Sequence, residues 1–148
     1  MSLKTEIQKA LTDAMKNKDE VRKVPLRLVM AAMKEAEIDK QQELEEAEVL
    51  RIVQKEAKAR MDTIADAVKA ERPDLVERAE AELAVLKEFL PEELSQEKII
   101  ALVKESIAEV GATSMGDMGN VMKSIMPKIQ GRADGGQVSQ IVRQLLQQ

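Results

Sequence analysis

Aliphatic side chains recur three and four residues apart along almost the whole chain, which is the spacing of one face of an α-helix. This pattern predicts an all-α protein with a four-helix N-terminal region followed by a small three-helix C-terminal tail domain. The longest helix is expected to begin at about Leu44, with charged pairs such as Glu56 and Arg60 pointing outward. Its predicted inward positions are Val49, Leu50, Val53, Ala57, Ile64, Ala65 and Val68.

Prolines mark the predicted boundaries, because proline lacks an amide donor and suits the first position of a helix. We expect Asp19 to cap a short continuation of the first helix, and the second helix to begin at Val24-Pro25 and to run to about Ile38. Pro73 should end the long helix and let the fourth return antiparallel to it as a hairpin. The segment Leu90–Ser95, which contains Pro91, is the best domain boundary, so the predicted domains are residues 1–92 and 95–148.

All six glycines lie in the stretch from Gly111 to Val142. Glycine readily adopts a positive φ, so this stretch is expected to form tight, position-specific turns. Gly111 should close a fifth helix that Ser95 caps.

Two capping boxes are predicted in the same stretch. Ser114 with Asp117 resembles the usual box with aspartate in the glutamate position, and it would start the sixth helix. Asp134 with Gln137 forms the pattern D-x-x-Q at the start of a last helix.

Four methionines follow one another at spacings of 3, 4 and 4 residues, which places them on one face of the sixth helix. They are Met115, Met118, Met122 and Met126. Since methionine fills irregular gaps between helices, we expect core packing, with a soft partner-binding groove as the alternative. Pro127 predicts that this helix ends near Met126 or kinks there.

Composition limits the chemistry that the chain can perform. It contains 44% hydrophobic residues but a single aromatic, Phe89, so its core must be aliphatic. Cysteine and histidine are absent, which excludes disulfides, thiol nucleophiles, Ser-His-Asp triads and histidine-based metal sites. We therefore predict no catalytic residue, no metal and no cofactor. No apolar run approaches the ~18 residues of a membrane span and the N-terminus lacks the apolar segment of a signal peptide, so a cytoplasmic location is expected.

The charge is distributed unevenly. Residues 1–94 contain 17 Lys and Arg against 22 Asp and Glu, whereas residues 95–148 contain 6 against 5. An acidic first part repels phosphate, so any nucleic-acid contact belongs to the second part. The candidate contacts are Lys123, Lys128, Arg132 and Arg143, with an ordinary solvated surface as the alternative. Arg132 either faces a phosphate or forms a local ion pair with Asp134.

Several motifs together resemble the GatB/YqeY family, and most closely its stand-alone YqeY-like members. The motifs are Leu26-Arg27-Leu28 with Ala31-Ala32, Leu90-Pro91, Met118-Gly119-Asn120-Val121-Met122, Met126-Pro127-Lys128 and above all Gly131-Arg132-Ala133-Asp134-Gly135. In the last motif Gly131, Asp134 and Gly135 are expected to form a structural turn. The resemblance extends to the tail of the GatB subunit of a glutamine-dependent tRNA amidotransferase, a tail that helps to hold the tRNA.

The resemblance implies a non-catalytic tRNA-binding or amidotransferase-associated accessory protein. Its expected partners are tRNA and an amidotransferase or other translation proteins, with no membrane. The catalytic body of GatB has no counterpart in this chain. A helical protein-interaction module without RNA affinity is the alternative, and a glutamine-dependent carbon–nitrogen ligase is the least favoured interpretation.

Overall fold

The computed structural model describes residues 2–129 and 132–147, and the regular secondary structure in those ranges is helical. The helices are α1 (Leu3–Lys16), α2 (Glu20–Lys40), α3 (Glu46–Lys69), α4 (Pro73–Lys87), α5 (Gln96–Val110), α6 (Met118–Ile129) and α7 (Gly135–Leu146), with a short 3₁₀ turn (Met115–Asp117) before α6. The predicted all-α class is confirmed. Among the described residues, none of these helices is long and apolar enough to cross a membrane.

The chain divides into two compact units, Met1–Leu90 and Pro91–Gln148. In the first unit α1 packs on α2, and α3 packs on α4 as the predicted hairpin. Its core is aliphatic and consists of Ile7, Ala14, Leu26, Val29, Met33, Val49, Val53, Ala57, Val85 and Leu86.

The second unit contains α5, α6 and α7 and has its own core. That core consists of Ile99, Val103, Val121, Ile125, Ile129, Val138, Ile141, Val142 and Leu146. Each of the three helices packs on the other two, so every helix in the unit contributes one apolar face.

Predicted helix ends are confirmed where the capping side chains are local. The Ser2 hydroxyl accepts a hydrogen bond from the Thr5 amide at 3.2 Å, and the Ser95 hydroxyl accepts one from the Lys98 amide at 3.2 Å. Gly111 ends α5 with φ 66° and ψ 33°, a left-handed conformation that glycine adopts without steric cost. These caps satisfy helix-end groups that have no partner within the helix.

Pro25 lies inside α2 and not at its start, so the predicted boundary at Val24-Pro25 is wrong. α2 begins at Glu20, after Asp19 has capped it by accepting a hydrogen bond from the Arg22 amide at 3.2 Å. The Asp19 cap is therefore the true start of the helix. Pro25 removes one backbone hydrogen bond, and it is itself buried with the core face of α2, which offsets that loss.

Pro127 also lies inside a helix. α6 continues to Ile129, so the alternative in which it ends near Met126 is wrong. Ile129 is only 1% exposed, and its burial in the core of the second unit holds the last turn of α6 in helical form.

α3 is the longest helix, as predicted, but its inward face changes in its second half. Val49, Val53 and Ala57 are buried as expected, whereas Val68 is 60% exposed and Ala67 takes the buried position instead. The tertiary contact with α4 selects Ala67 because a small side chain allows two helices to approach closely.

The pair of Glu56 and Arg60 is not on the outer face of α3, contrary to the prediction. The Arg60 side chain is 12% exposed, and its nitrogens lie 3.5 Å from carboxylate oxygens of Glu56 and of Glu82 on α4. The arginine therefore belongs to the contact between α3 and α4.

The glycines mostly do not form special turns. Among the described glycines, Gly111 is the one with a positive φ. Gly119 lies within α6, and Gly135 and Gly136 open α7. The expectation of tight glycine turns is wrong for Gly119 and Gly136, which are helical. The structural turn of Gly131, Asp134 and Gly135 stays a prediction, because Gly131 lies outside the described residues. Positive φ occurs at three non-glycine residues that follow α1, α2 and α3, namely Lys18, Gln41 and Glu71.

Candidate nucleic-acid interface

Arg132 lies in the segment between α6 and α7, and its side chain turns back onto α6. Its Nη2 donates a hydrogen bond to the main-chain carbonyl of Lys128 at 2.5 Å. Its amide donates to the Ile129 carbonyl at 2.7 Å, and its own carbonyl accepts from the Leu94 amide at 2.7 Å. Since the last carbonyls of a helix have no partner within the helix, Arg132 caps α6 and joins it to the start of the second unit.

The ammonium group of Lys128 is held by α5. Its Nζ lies 3.0 Å from Glu109 Oε2, 3.5 Å from Glu105 Oε1 and 3.2 Å from Ser106 Oγ. The hydrogen bond from Lys128 holds the pKa of the Glu109 carboxyl below its ordinary value, and the same bond raises the pKa of Lys128. The charge of this cation is thus largely neutralised inside the unit.

Two serines complete this polar contact between α5 and α6. Ser106 is fully buried, and the hydrogen bond from Lys128 satisfies its hydroxyl oxygen. Ser124 donates to Glu109 at 3.1 Å, which adds to the lowering of the Glu109 pKa. The motif Met126-Pro127-Lys128 therefore has a structural explanation, because its lysine links α6 to α5.

Lys123 and Arg143 are different, since both are exposed and neither makes an ion pair within the described residues. Lys123 precedes Lys128 by five residues, which corresponds to about 140° around α6, so the two lysines do not share a face. The four predicted cations consequently divide into two that are exposed and two that stabilise the second unit. Lys128 and Arg132 meet at the end of α6.

Asp134 is the N-cap residue of α7, as predicted. Its side chain forms no capping hydrogen bond, so the predicted capping box of Asp134 with Gln137 does not form. A Cβ added at Gly136 would lie 3.2 Å from Asp134 Oδ2, which places the carboxylate beside the first turn of α7. A negative charge there interacts favourably with the helix dipole. No ion pair joins Asp134 to Arg132 among the described residues, and Gly131 lies outside them.

The other predicted box, at the start of α6, is confirmed. The Asp117 carboxylate accepts hydrogen bonds from the amides of Thr113 at 2.9 Å and Ser114 at 3.2 Å. These bonds lower the pKa of Asp117 and fix the chain just before α6.

The methionines do not form the core face of α6. The buried residues of that helix are Val121, Ile125 and Ile129. Met118 and Met122 are half-buried at the edge of the core, while Met115 and Met126 are 38% and 44% exposed. The core-packing expectation therefore holds for two of the four methionines. The spacing of four residues from Val121 to Ile129 was the signal that sequence reasoning missed.

One exposed face of α7 carries no carboxylate. It consists of Gln137, Gln140, Arg143, Gln144 and Gln147, and we call it the α7 polar face. Residues 135–147 contain one charged residue, although charged residues make up 34% of the chain. Glutamine amides both donate and accept hydrogen bonds, which suits contacts with phosphates, sugars and base edges. Sequence reasoning missed this face except for Arg143.

Carboxylates do not gather into a metal site in the described part of the chain. No group of three or more aspartates and glutamates there is arranged to hold a metal ion.

Comparison with known proteins relates the chain to a family and to fungal relatives. Residues 4–146 match the family model described as Yqey-like protein. The chain is 36% identical over 85 residues to "Altered inheritance of mitochondria protein 41, mitochondrial" of Lachancea thermotolerans, covering 57% of this chain and 46% of that protein. It is 36% identical over 84 residues to the protein of the same name in Kluyveromyces lactis, covering 56% and 45%. An uncharacterized protein of Schizosaccharomyces pombe is 32% identical over 94 residues, covering 64% and 76%.

The match covers less than half the length of the two relatives named for mitochondrial inheritance. Their names place those two proteins in mitochondria, and the cytoplasmic location expected for this chain stays a prediction. The family model, in contrast, spans α1 to α7. The chain therefore belongs to the YqeY-like protein family.

Proposed function

We propose that this protein is a non-catalytic accessory protein that contacts tRNA through its C-terminal unit, alone or beside an amidotransferase or another translation protein. The observation that carries the proposal is the pair of exposed cations Lys123 and Arg143, which lie in residues 118–147, where Asp134 is the single carboxylate. Such a segment attracts a phosphate backbone even though the rest of the chain is acidic.

The exposed cations are the proposed phosphate contacts. Lys123 on α6 and Arg143 on α7 make no ion pair with any residue that the structure describes, so there is no such pair to break before they bind a phosphate. The planar guanidinium of Arg143 offers two parallel hydrogen bonds, and the glutamines of the α7 polar face offer additional ones. Lys128 and Arg132 have a different role in this proposal, because Lys128 links α6 to α5 and Arg132 caps the end of α6.

Binding to tRNA at two salt concentrations tests the proposal by electrophoretic mobility shift. Replacing both Lys123 and Arg143 by glutamine should weaken binding by about tenfold or more and reduce the salt dependence by about two counterions. Lys9→Gln, at an exposed position of α1, is the matched control and should change binding much less. Absence of binding by the parent protein at low salt would contradict the proposal.

A helical protein-interaction module without RNA affinity is the second candidate. It is favoured by exposed aliphatic side chains of the N-terminal unit, including Val21 at 53% and Leu28 at 46% exposure. Affinity purification with RNase treatment of half the sample separates the two candidates. Partners retained after RNase treatment, together with no tRNA shift, would favour this module.

Ligase activity is the least supported of the three functions. Without cysteine and histidine, the chain lacks the Cys-His pair on which many amide-cleaving sites depend. Glutaminase and ATPase assays on the purified protein test it directly.

A further inference from the structure

The second half of α3 presents apolar side chains to solvent. Met61 is 46% exposed and Val68 is 60% exposed, and the exposed Ala65 lies between them. Spacings of four and three residues place the three on one face of the helix, and we call this set the α3 stripe. Apolar side chains that share a face gain more from a partner than isolated ones do.

The core of the N-terminal unit does not extend under this part of the hairpin. The last α3 residue in that core is Ala57. Beyond it, Ala67 of α3 and Ala79 of α4 are buried, but neither belongs to the core cluster. Two alanines bury little apolar area, so few apolar contacts stabilise this end of the hairpin. The solvent-exposed face of α3 there remains available for another helix.

Two unpaired opposite charges flank the α3 stripe on one side. Asp62 and Lys69 are exposed, and neither takes part in an ion pair in the described part of the chain. They are seven residues apart, or about 10 Å along the axis, which is too far for a direct contact with each other. A partner that pairs with both must carry a cation and a carboxylate at the same separation in reverse order.

We propose that the partner is a second copy of this chain, whose α3 lies antiparallel on the first about a two-fold axis close to Ala65. The two-fold axis makes every contact reciprocal. Asp62 of each chain then faces Lys69 of the other, and Met61 of each chain faces Val68 of the other. The small Ala65 at the centre allows the two helices to approach closely.

The expected dimer is weak and reversible. Three apolar side chains from each copy, two of them already about half covered, bury less than the roughly 800 Å² per partner of a standard interface. We therefore expect a dissociation constant on the order of 10–100 µM.

Sedimentation equilibrium of the full chain over a concentration series tests the proposal. The parent should change from monomer to dimer as its concentration rises, and Val68→Asp should remain monomeric. Val110→Asp is the matched control, because Val110 is 38% exposed on α5 in the other unit, and it should dimerise like the parent. Circular dichroism verifies that each variant keeps its helices.

Reversing the charge of Asp62 or of Lys69 distinguishes a lost dimer contact from a loss of folding. Asp62→Lys places two lysines against each other across the axis, and Lys69→Asp places two aspartates there, so each variant alone should dimerise about tenfold more weakly. An equimolar mixture of the two variants should recover dimerisation, because each contact then joins opposite charges.

The absence of cysteine from the chain allows a direct test of the axis. Ala65→Cys should form an intermolecular disulfide under mild oxidation. Ala59→Cys, an exposed alanine about 120° away around α3, should not. A parent that remains monomeric throughout the series, or equal cross-linking at both positions, would overturn the proposal.

Discussion

The guanidinium of Arg132 donates a hydrogen bond to the main-chain carbonyl of Lys128 at 2.5 Å, so the two cation-bearing motifs of the C-terminal unit meet at the end of α6. Lys128 in turn reaches Glu109 on α5 at 3.0 Å, and the Arg132 carbonyl accepts from Leu94. The lysine and the arginine of these two motifs therefore join α6 to α5 and to the segment before α5. Their presence is explained by the fold before any ligand is considered.

We expect Arg132→Ala to lower the free energy of unfolding of the C-terminal unit by about 1–2 kcal/mol, since it removes a charge-assisted hydrogen bond from the end of α6. Urea denaturation followed by circular dichroism measures this. Arg143→Ala is the matched control and should stay within about 0.5 kcal/mol of the parent, because Arg143 is exposed. If Arg132→Ala keeps the stability of the parent and binds tRNA more weakly, Arg132 is a phosphate contact and not a structural residue, contrary to the roles assigned to Arg132 and Arg143.

Neighbouring residues of α6 should respond very differently to truncation. Ile125 is fully buried, so Ile125→Ala should destabilise the C-terminal unit by about 2–4 kcal/mol through lost burial and a cavity. Met126 is 44% exposed, so Met126→Ala should change stability by less than about 0.5 kcal/mol. Thermal denaturation compares the stabilities of the two variants. A larger loss of stability for Met126→Ala would show that the methionines, and not Ile125, form the buried face of α6.

Stability should be nearly constant between about pH 5.5 and pH 9, because the chain has no histidine and no cysteine to titrate there. Hydrogen bonding lowers the pKa values of Glu109 and Asp117 in the folded state. Below about pH 4.5 the unfolded state therefore binds more protons than the folded state, and the stability decreases as the pH is lowered. The pKa of Lys128 is raised, so its contribution is present below about pH 10 and is lost above it.

Melting temperatures from pH 3 to pH 7 measure the acid limb of this dependence. Glu109→Gln should melt lower than the parent at pH 7 and should lose less stability on acidification, because one of the carboxylates responsible is gone. An identical acid limb in the variant would show that the contact with Lys128 contributes nothing.

Limited digestion by a glutamate-specific protease should cut first at Glu92 or Glu93, in the non-helical residues 91–95 between α4 and α5. The segment Gln41–Glu45 between α2 and α3 also contains glutamates and provides an internal comparison. Mass spectrometry identifies the first fragments. Earlier cleavage in α3, between Val49 and Val68, would contradict the predicted domain boundary.

The sequence by itself determined the features that depend on neighbours along the chain. Helical periodicity and the caps at Ser2, Asp19, Ser95 and Gly111 all act over a few residues, so each was readable from the local pattern. The family followed from motifs that can be read in the same way. The predictions from Pro73 and Pro91 agree with the structure, whereas those from Pro25 and Pro127 do not. The lost hydrogen bond of a proline is a local effect, but the burial that offsets it at Pro25 depends on residues distant in the sequence.

Only the tertiary structure decided which face of α6 and of the second half of α3 is buried, and which charges are free. The choice of Val121, Ile125 and Ile129 over the methionines depends on the shape of α5 and α7 against α6. Lys128 is not a free cation because of Glu109, which is nineteen residues from it in the chain and 3.0 Å from it in space. Packing and ion pairing join residues that are distant in sequence, and a pattern along one helix carries no information about what the neighbouring helices place against it.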